Sequence, residues 1–211
     1  MYMARTLAPR KCFLVIAPLV LLLLSGCAPD ESAPGAEASL DEVRAATEKY
    51  QDVDVAIADG YVRDPMDVCE TPYHLGRTHE TGVMGIHFLR LDRLGIGADR
   101  TRLDVAGTHT DFRQPAVLVY EPEADGSLQL VALENLVSAA QWAAQGKGAP
   151  PSFQETEFEY SADDPSMTVK AYYDLHVWLF RENPNGMFAP YNPNATCEHH
   201  VFNMPMMHPM P

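Results

Sequence analysis

The chain lacks most of the signatures that announce a chemistry. It has no Gly-x-Ser-x-Gly elbow, no His-Glu-x-x-His run and no Cys-x-x-Cys pair, and Gly95-Ile-Gly97 is too little for a phosphate-cradling loop. Serine-hydrolase chemistry, helix-borne zinc proteolysis and nucleotide triphosphate binding are therefore without support. Basic residues are also scarce. Fifteen Lys and Arg stand against 29 Asp and Glu, for a formal net charge of −14. Phosphate backbones and anionic headgroups repel such a surface, so nucleic acid is not an expected partner. Solubility alone accounts for this acidity; attraction of metal cations is the functional alternative. No apolar run reaches the roughly 20 residues of a spanning helix. No internal repeat is visible, and there are only four cysteines, at positions 12, 27, 69 and 197.

What is present begins with an address. Arg5, Arg10 and Lys11 precede an apolar run from Cys12 to Leu24, the layout of a signal peptide. The run closes on Leu24-Ser25-Gly26-Cys27, which resembles the lipobox of bacterial lipoproteins. That resemblance implies cleavage before Cys27 and lipid on its thiol, an anchor worth about 0.8 kcal/mol per buried methylene. Ala28 in the next position resembles the pattern sorted to the outer membrane, facing the periplasm. An ordinary signal peptide cut near Ala28 is the competing reading. Residues 1–26 are then leader, and the acidic, proline-bearing stretch 27–38 is a tether. Residues 39–197 form a single domain, and 198–211 are a Met/His-rich tail.

With Cys12 in the leader and Cys27 committed to lipid, Cys69 and Cys197 remain as a pair in an oxidising compartment. They are expected to form a disulfide, worth about 4–5 kcal/mol for so long a loop in the chain-entropy model. Two thiolate metal ligands are the alternative.

Ser39-Leu40-Asp41-Glu42 has the form of a capping box, and apolar residues follow at spacings of three and four up to Gly60. The pattern predicts one amphipathic helix over 40–59, with a possible break near Gln51-Asp52. Strand formers fill 83–89, 116–121, 128–134 and 172–180, with a two-residue hairpin turn at Asp125-Gly126. Residues 138–145 are expected to form a short helix, and 90–114 and 147–168 to be loops. The fold class is α+β, one N-terminal helix packed on a mostly antiparallel sheet. The segments KYQDVDVAIADGYV, GVMGIHF, PAVLVYEPEADGSLQLVALEN and LHVWLFRENPNGMFAPYNPNATC together resemble a family of uncharacterised bacterial secreted proteins. The resemblance implies one compact domain and brings no activity with it.

Three groups of residues carry candidate chemistry. The first is His87, Glu134 and His176, with Glu121 nearby. A two-residue turn pairs Glu134 with Val117 and Glu121 with Leu130, which sets both carboxylates on one apolar face. They are then about 13 Å apart, too far to share an ion, so one of them would join the histidines. Two imidazoles and a carboxylate form a divalent-metal donor set. The bland alternative is a satisfied core histidine and an arginine-paired glutamate. The second group is the tail: His199, His200, Met204, Met206, Met207, His208 and Met210. Thioether and imidazole suit copper, whereas a plain disordered terminus is the competing view. The third, His74, His79 and Glu80, has the spacing of an ordinary surface loop.

No catalytic residue is assigned. The expected function is a lipid-anchored extracytoplasmic binding protein, with copper or another transition metal held by the tail. A metal-dependent enzyme with a His/Glu site and a structural or partner-binding envelope lipoprotein are the alternatives.

Overall fold

The computed structural model describes residues 37–74, 76–77, 79–97, 104–163 and 170–201, all within the compact unit Gly35–Pro211. The leader, Cys27, nearly all of the tether, and Met204, Met206, Met207, His208 and Met210 lie outside these residues. No helix among the described residues is long and apolar enough to cross a membrane.

The capping box forms as expected: the Glu42 amide donates to Ser39 Oγ (3.3 Å) and the Ser39 amide to Glu42 Oε2 (2.7 Å). The helical segment expected over 40–59 forms with a break at the place the sequence allowed, near Gln51-Asp52. It divides into α1 (Leu40–Thr47), a 3-10 turn (Glu48–Gln51) and α2 (Val53–Ala58). Asp52 causes the break. Its backbone is extended, and its side chain accepts the Asp54 amide at 3.0 Å, capping a new helix rather than continuing the old one. The interruption leaves the Tyr50 carbonyl available, and the Tyr120 hydroxyl donates to it at 2.7 Å.

The main sheet holds seven strands in antiparallel pairs. In chain order they are β1 (Val62–Arg63), β2 (Cys69–Glu70), β3 (Gly85–Leu89), β4 (Val117–Pro122), β5 (Leu128–Ser138), β8 (Glu159–Ser161) and β9 (Tyr172–Val177). Their spatial order is β1-β3-β4-β5-β9-β8, and β2 also pairs with β3. A separate two-stranded ribbon joins β6 (Ser152–Phe153) to β7 (Thr156–Glu157). The fold is mixed helix and antiparallel sheet, consistent with α+β.

Three local expectations are corrected. The β4–β5 connection is a five-residue loop, Glu123–Ser127, not a two-residue turn. It is closed by the Glu123 amide on the Ser127 carbonyl (2.9 Å), with Gly126 at positive φ. The stretch 90–114 contains a helical turn, α3 (Leu91–Leu94), which Gly95 ends in the left-handed conformation. The stretch 147–168 supplies β6, β7 and β8. Runs of two or three residues carry too little alternation to be read from sequence. The short helix expected over 138–145 is α4 (Ala139–Ala144).

Alternation along the strands gives the sheet two faces. Phe88, Leu118, Tyr120, Leu133 and Val177 share one buried cluster with Val43, Tyr50 and Ala56 of the helical segment. Leu89, Val117, Val119, Ala132 and Trp178 cluster with Leu94 on the other face. The disulfide between Cys69 and Cys197 is present, with the two Cα atoms 5.8 Å apart, and it holds the C-terminal segment to β2. Gly82 lets that segment approach β3. A Cβ at Gly82 would lie 2.3 Å from the Asn192 backbone, beside the Val83–Asn192 bridge.

Candidate metal centre

His87, Glu134 and His176 come from three strands, β3, β5 and β9. Glu134 and His176 are direct cross-strand partners. His87 lies opposite Val119 and Glu134 opposite Val117, so the histidine reaches Glu134 diagonally over β4 and its two valines. His87 Nε2 is 3.4 Å from Glu134 Oε2, and His176 Nε2 is 3.6 Å from Glu134 Oε1. The three ligand atoms all lie within 4.8 Å of one another, the one such grouping of His, Cys, Asp or Glu among the described residues. Zinc–nitrogen and zinc–oxygen bonds of about 2.0–2.2 Å set neighbouring ligands about 3.4 Å apart in a tetrahedron. Shifts of under about one ångström per side chain would close the set on one ion.

Burial governs the electrostatics. The His176 side chain is 1 % exposed, and its pKa is pushed down to about 3, first by burial and then by the charges of His87 and Arg77. Burial lowers His87 as well. Both imidazoles are therefore neutral at pH 7, the state in which nitrogen can bind a metal. Glu134 is raised well above the usual carboxylate range by burial, and further by the carboxylates of Asp174 and Glu70. Its ion pairs among the described residues are to the two histidines, with no Lys or Arg. His176 Nε2 is buried without a hydrogen-bond partner. A buried carboxyl, two uncharged imidazoles and an orphan ring nitrogen form a site that a divalent cation would complete, because burying an unpartnered polar group is costly.

Two further carboxylates stand close by. Asp174 Oδ2 is 3.8 Å from His176 Nδ1, and its pKa is raised to about 7 by burial and then by Glu159. Glu70, next to Cys69, is also raised to about 7, by burial and then by Asp64. A recess of about 210 Å³ is lined by Glu157, Glu159, Asp174, His176, Phe188 and Pro190, among others. Sequence reasoning missed Asp174, although it lies two residues before His176 on the same strand face. It missed Glu70 because β2 is too short to show alternation.

The other candidates separate from this centre. Glu121 is the arginine-paired glutamate of the bland alternative: Arg181 contacts its carboxylate, and the Thr196 amide donates to Oε1 at 2.9 Å. It lies opposite Gln129, not Leu130, because the five-residue loop shifts the register by one beside the turn, before a bulge between the pairs Val119–Ala132 and Tyr120–Leu130 shifts it back. His74 Nδ1 accepts the Thr71 amide at 3.1 Å, His79 is exposed, and Glu80 pairs with Arg77. In the tail, His199 is exposed, and His200 Nε2 lies 3.5 Å from Asp67 Oδ1. Comparisons with protein-family models, curated proteins and solved structures return no match to this chain.

Proposed function

We propose that this protein binds one divalent transition-metal ion between His87, Glu134 and His176. The observation that carries the reading is the burial of Glu134 beside two neutral imidazoles, with no Lys or Arg paired to it among the described residues. Nitrogen-rich mixed donors suit zinc, iron, nickel or copper. Three protein ligands leave a coordination position open, the arrangement used by catalytic zinc sites and by two-histidine, one-carboxylate iron sites. The recess lined by Asp174 and His176 adjoins the site on the side of β9. In this reading the N-terminal helical segment is scaffold: it packs on the aromatic face and leaves the other face to the ligands.

The setting we propose is extracytoplasmic, with the chain anchored through lipid on Cys27 at the outer membrane. The lipobox resemblance and the Cys69–Cys197 disulfide support it. A second reading, copper capture by the tail, is favoured by the run of Met and His from His199 to Met210. Metal analysis and calorimetric titration of the full chain, of His87→Ala and Glu134→Gln, and of a chain ending at Cys197 separate the two. The core reading expects one equivalent of metal that is lost in the two point variants and kept on truncation. No binding of zinc, iron, nickel or copper by the full chain overturns it. Equal copper content with and without residues 198–211 overturns the tail reading.

A further inference from the structure

The geometry points to Asp174 as the positioning residue for the metal-binding histidine: its carboxylate faces His176 Nδ1, which leaves Nε2 as the nitrogen for the ion. The inference rests on the metal-centre reading and deepens it. His176 has two ring nitrogens with different surroundings. Nε2 lies 3.6 Å from Glu134 and has no hydrogen-bond partner. Nδ1, on the opposite side of the ring, lies 3.8 Å from Asp174 Oδ2. A metal-ligating histidine characteristically gives its second N–H to a carboxylate, which fixes the tautomer and the ring orientation and raises the basicity of the ligating nitrogen.

The strand supplies this arrangement directly. Residues 174 and 176 are two apart on β9, so both side chains leave the same face. Both residues are buried. The neighbouring strand then fixes the aspartate. Ser161 lies beside its carboxylate and lowers its pKa against the larger push of burial, and Glu159, opposite Asp174 in the register, is held by Arg77 at 2.8 Å. A chain of contacts therefore runs from the edge strand β8 through Asp174 to His176 and the ion. At 3.8 Å the Asp174–His176 contact is longer than a hydrogen bond. With Nε2 as the nitrogen that would bind the ion, the ring proton would sit on Nδ1, where Asp174 would accept it.

A role confined to strand stability would make Asp174→Asn, which keeps the shape, silent toward the metal. The experiment compares the full chain, Asp174→Asn and Asp174→Glu. Zinc affinity is measured by competition with a chromophoric chelator. Pulsed EPR of the copper-loaded proteins reads the non-coordinating nitrogen of each bound imidazole. The expected results for Asp174→Asn are about 10–100-fold weaker zinc binding and a changed quadrupole signature for one of the two remote nitrogens. Asp174→Glu should recover part of both. Unchanged affinity, or weaker binding with both remote-nitrogen signals unaltered, overturns the inference while leaving the metal centre standing. If Asp174→Asn does not fold, Ser161→Ala replaces it: weaker zinc binding supports the inference and unchanged binding overturns it. A full chain that takes up no metal overturns the centre and this inference together.

Discussion

Glu121 and Glu134 make an instructive pair. They lie on the two strands of one hairpin, both are buried, and in each case the chain has taken a carboxylate out of water. At Glu121 the chain supplies the answer itself, with Arg181 and the Thr196 amide donating to the two oxygens and Gln129 steadying the guanidinium at 3.1 Å. At Glu134 the partners are imidazoles that burial keeps uncharged. The first is a closed ion pair that holds the C-terminal segment to the sheet. The second, on the proposed reading, is a ligand set for a cation. Burial of a carboxylate does not separate structure from chemistry; the identity of its counter-charge does.

The largest difference should appear in metal binding. Glu134→Gln and His176→Ala are expected to weaken zinc binding at least 100-fold by competition titration, whereas Glu121→Gln leaves it unchanged. Equal losses at the two glutamates would break the comparison. Stability should follow with a difference of sign. Arg181→Ala leaves Glu121 without its cation and should cost about 1.5–3 kcal/mol in denaturant unfolding. Glu134→Gln in chelator-treated protein removes a buried ionisable group that has no cation, and should be neutral or stabilising. Metal at 100 times its dissociation constant should stabilise the full chain and Glu121→Gln by about 2.7 kcal/mol, and Glu134→Gln not at all.

The smallest effect lies on the aromatic face, where the buried groups are hydroxyls rather than carboxylates. The Tyr61 hydroxyl donates to the Pro115 carbonyl and Tyr120 to that of Tyr50, each at 2.7 Å, and burial raises both pKa values above the usual phenol. With the folded pKa the higher one, the unfolded chain loses its phenol protons first as pH rises past about 10. Stability is therefore whole below that pH and declines above it. Absorbance of phenolate should lag in the folded protein until alkaline unfolding, equally in Glu121→Gln and Glu134→Gln.

Much of the centre was legible in the sequence, for a reason the hairpin makes clear. A two-residue turn at Asp125-Gly126 predicted Val117 opposite Glu134, and the structure has that pair despite a different turn. The five-residue loop shifts the register by one residue near the turn, and the extra residue Val131 in the bulge shifts it back. Glu134 therefore keeps its expected partner, while Glu121 moves from Leu130 to Gln129. The helix break at Asp52 was legible in a side chain able to cap, and the carbonyl that it frees, that of Tyr50, is taken up by the Tyr120 hydroxyl, 70 residues further on. Asp174 was visible by alternation alone. Its significance required knowing that His176 turns Nδ1 toward it, which a strand pattern does not encode.

The central claim is that the counter-charge of Glu134 is a metal ion. Anomalous diffraction from crystals of the full chain grown with zinc tests it most directly. One peak is expected about 2.0–2.2 Å from His87 Nε2, His176 Nε2 and the Glu134 carboxylate. A zinc-bound crystal whose anomalous density lies elsewhere, with those three side chains still paired to one another, would contradict it.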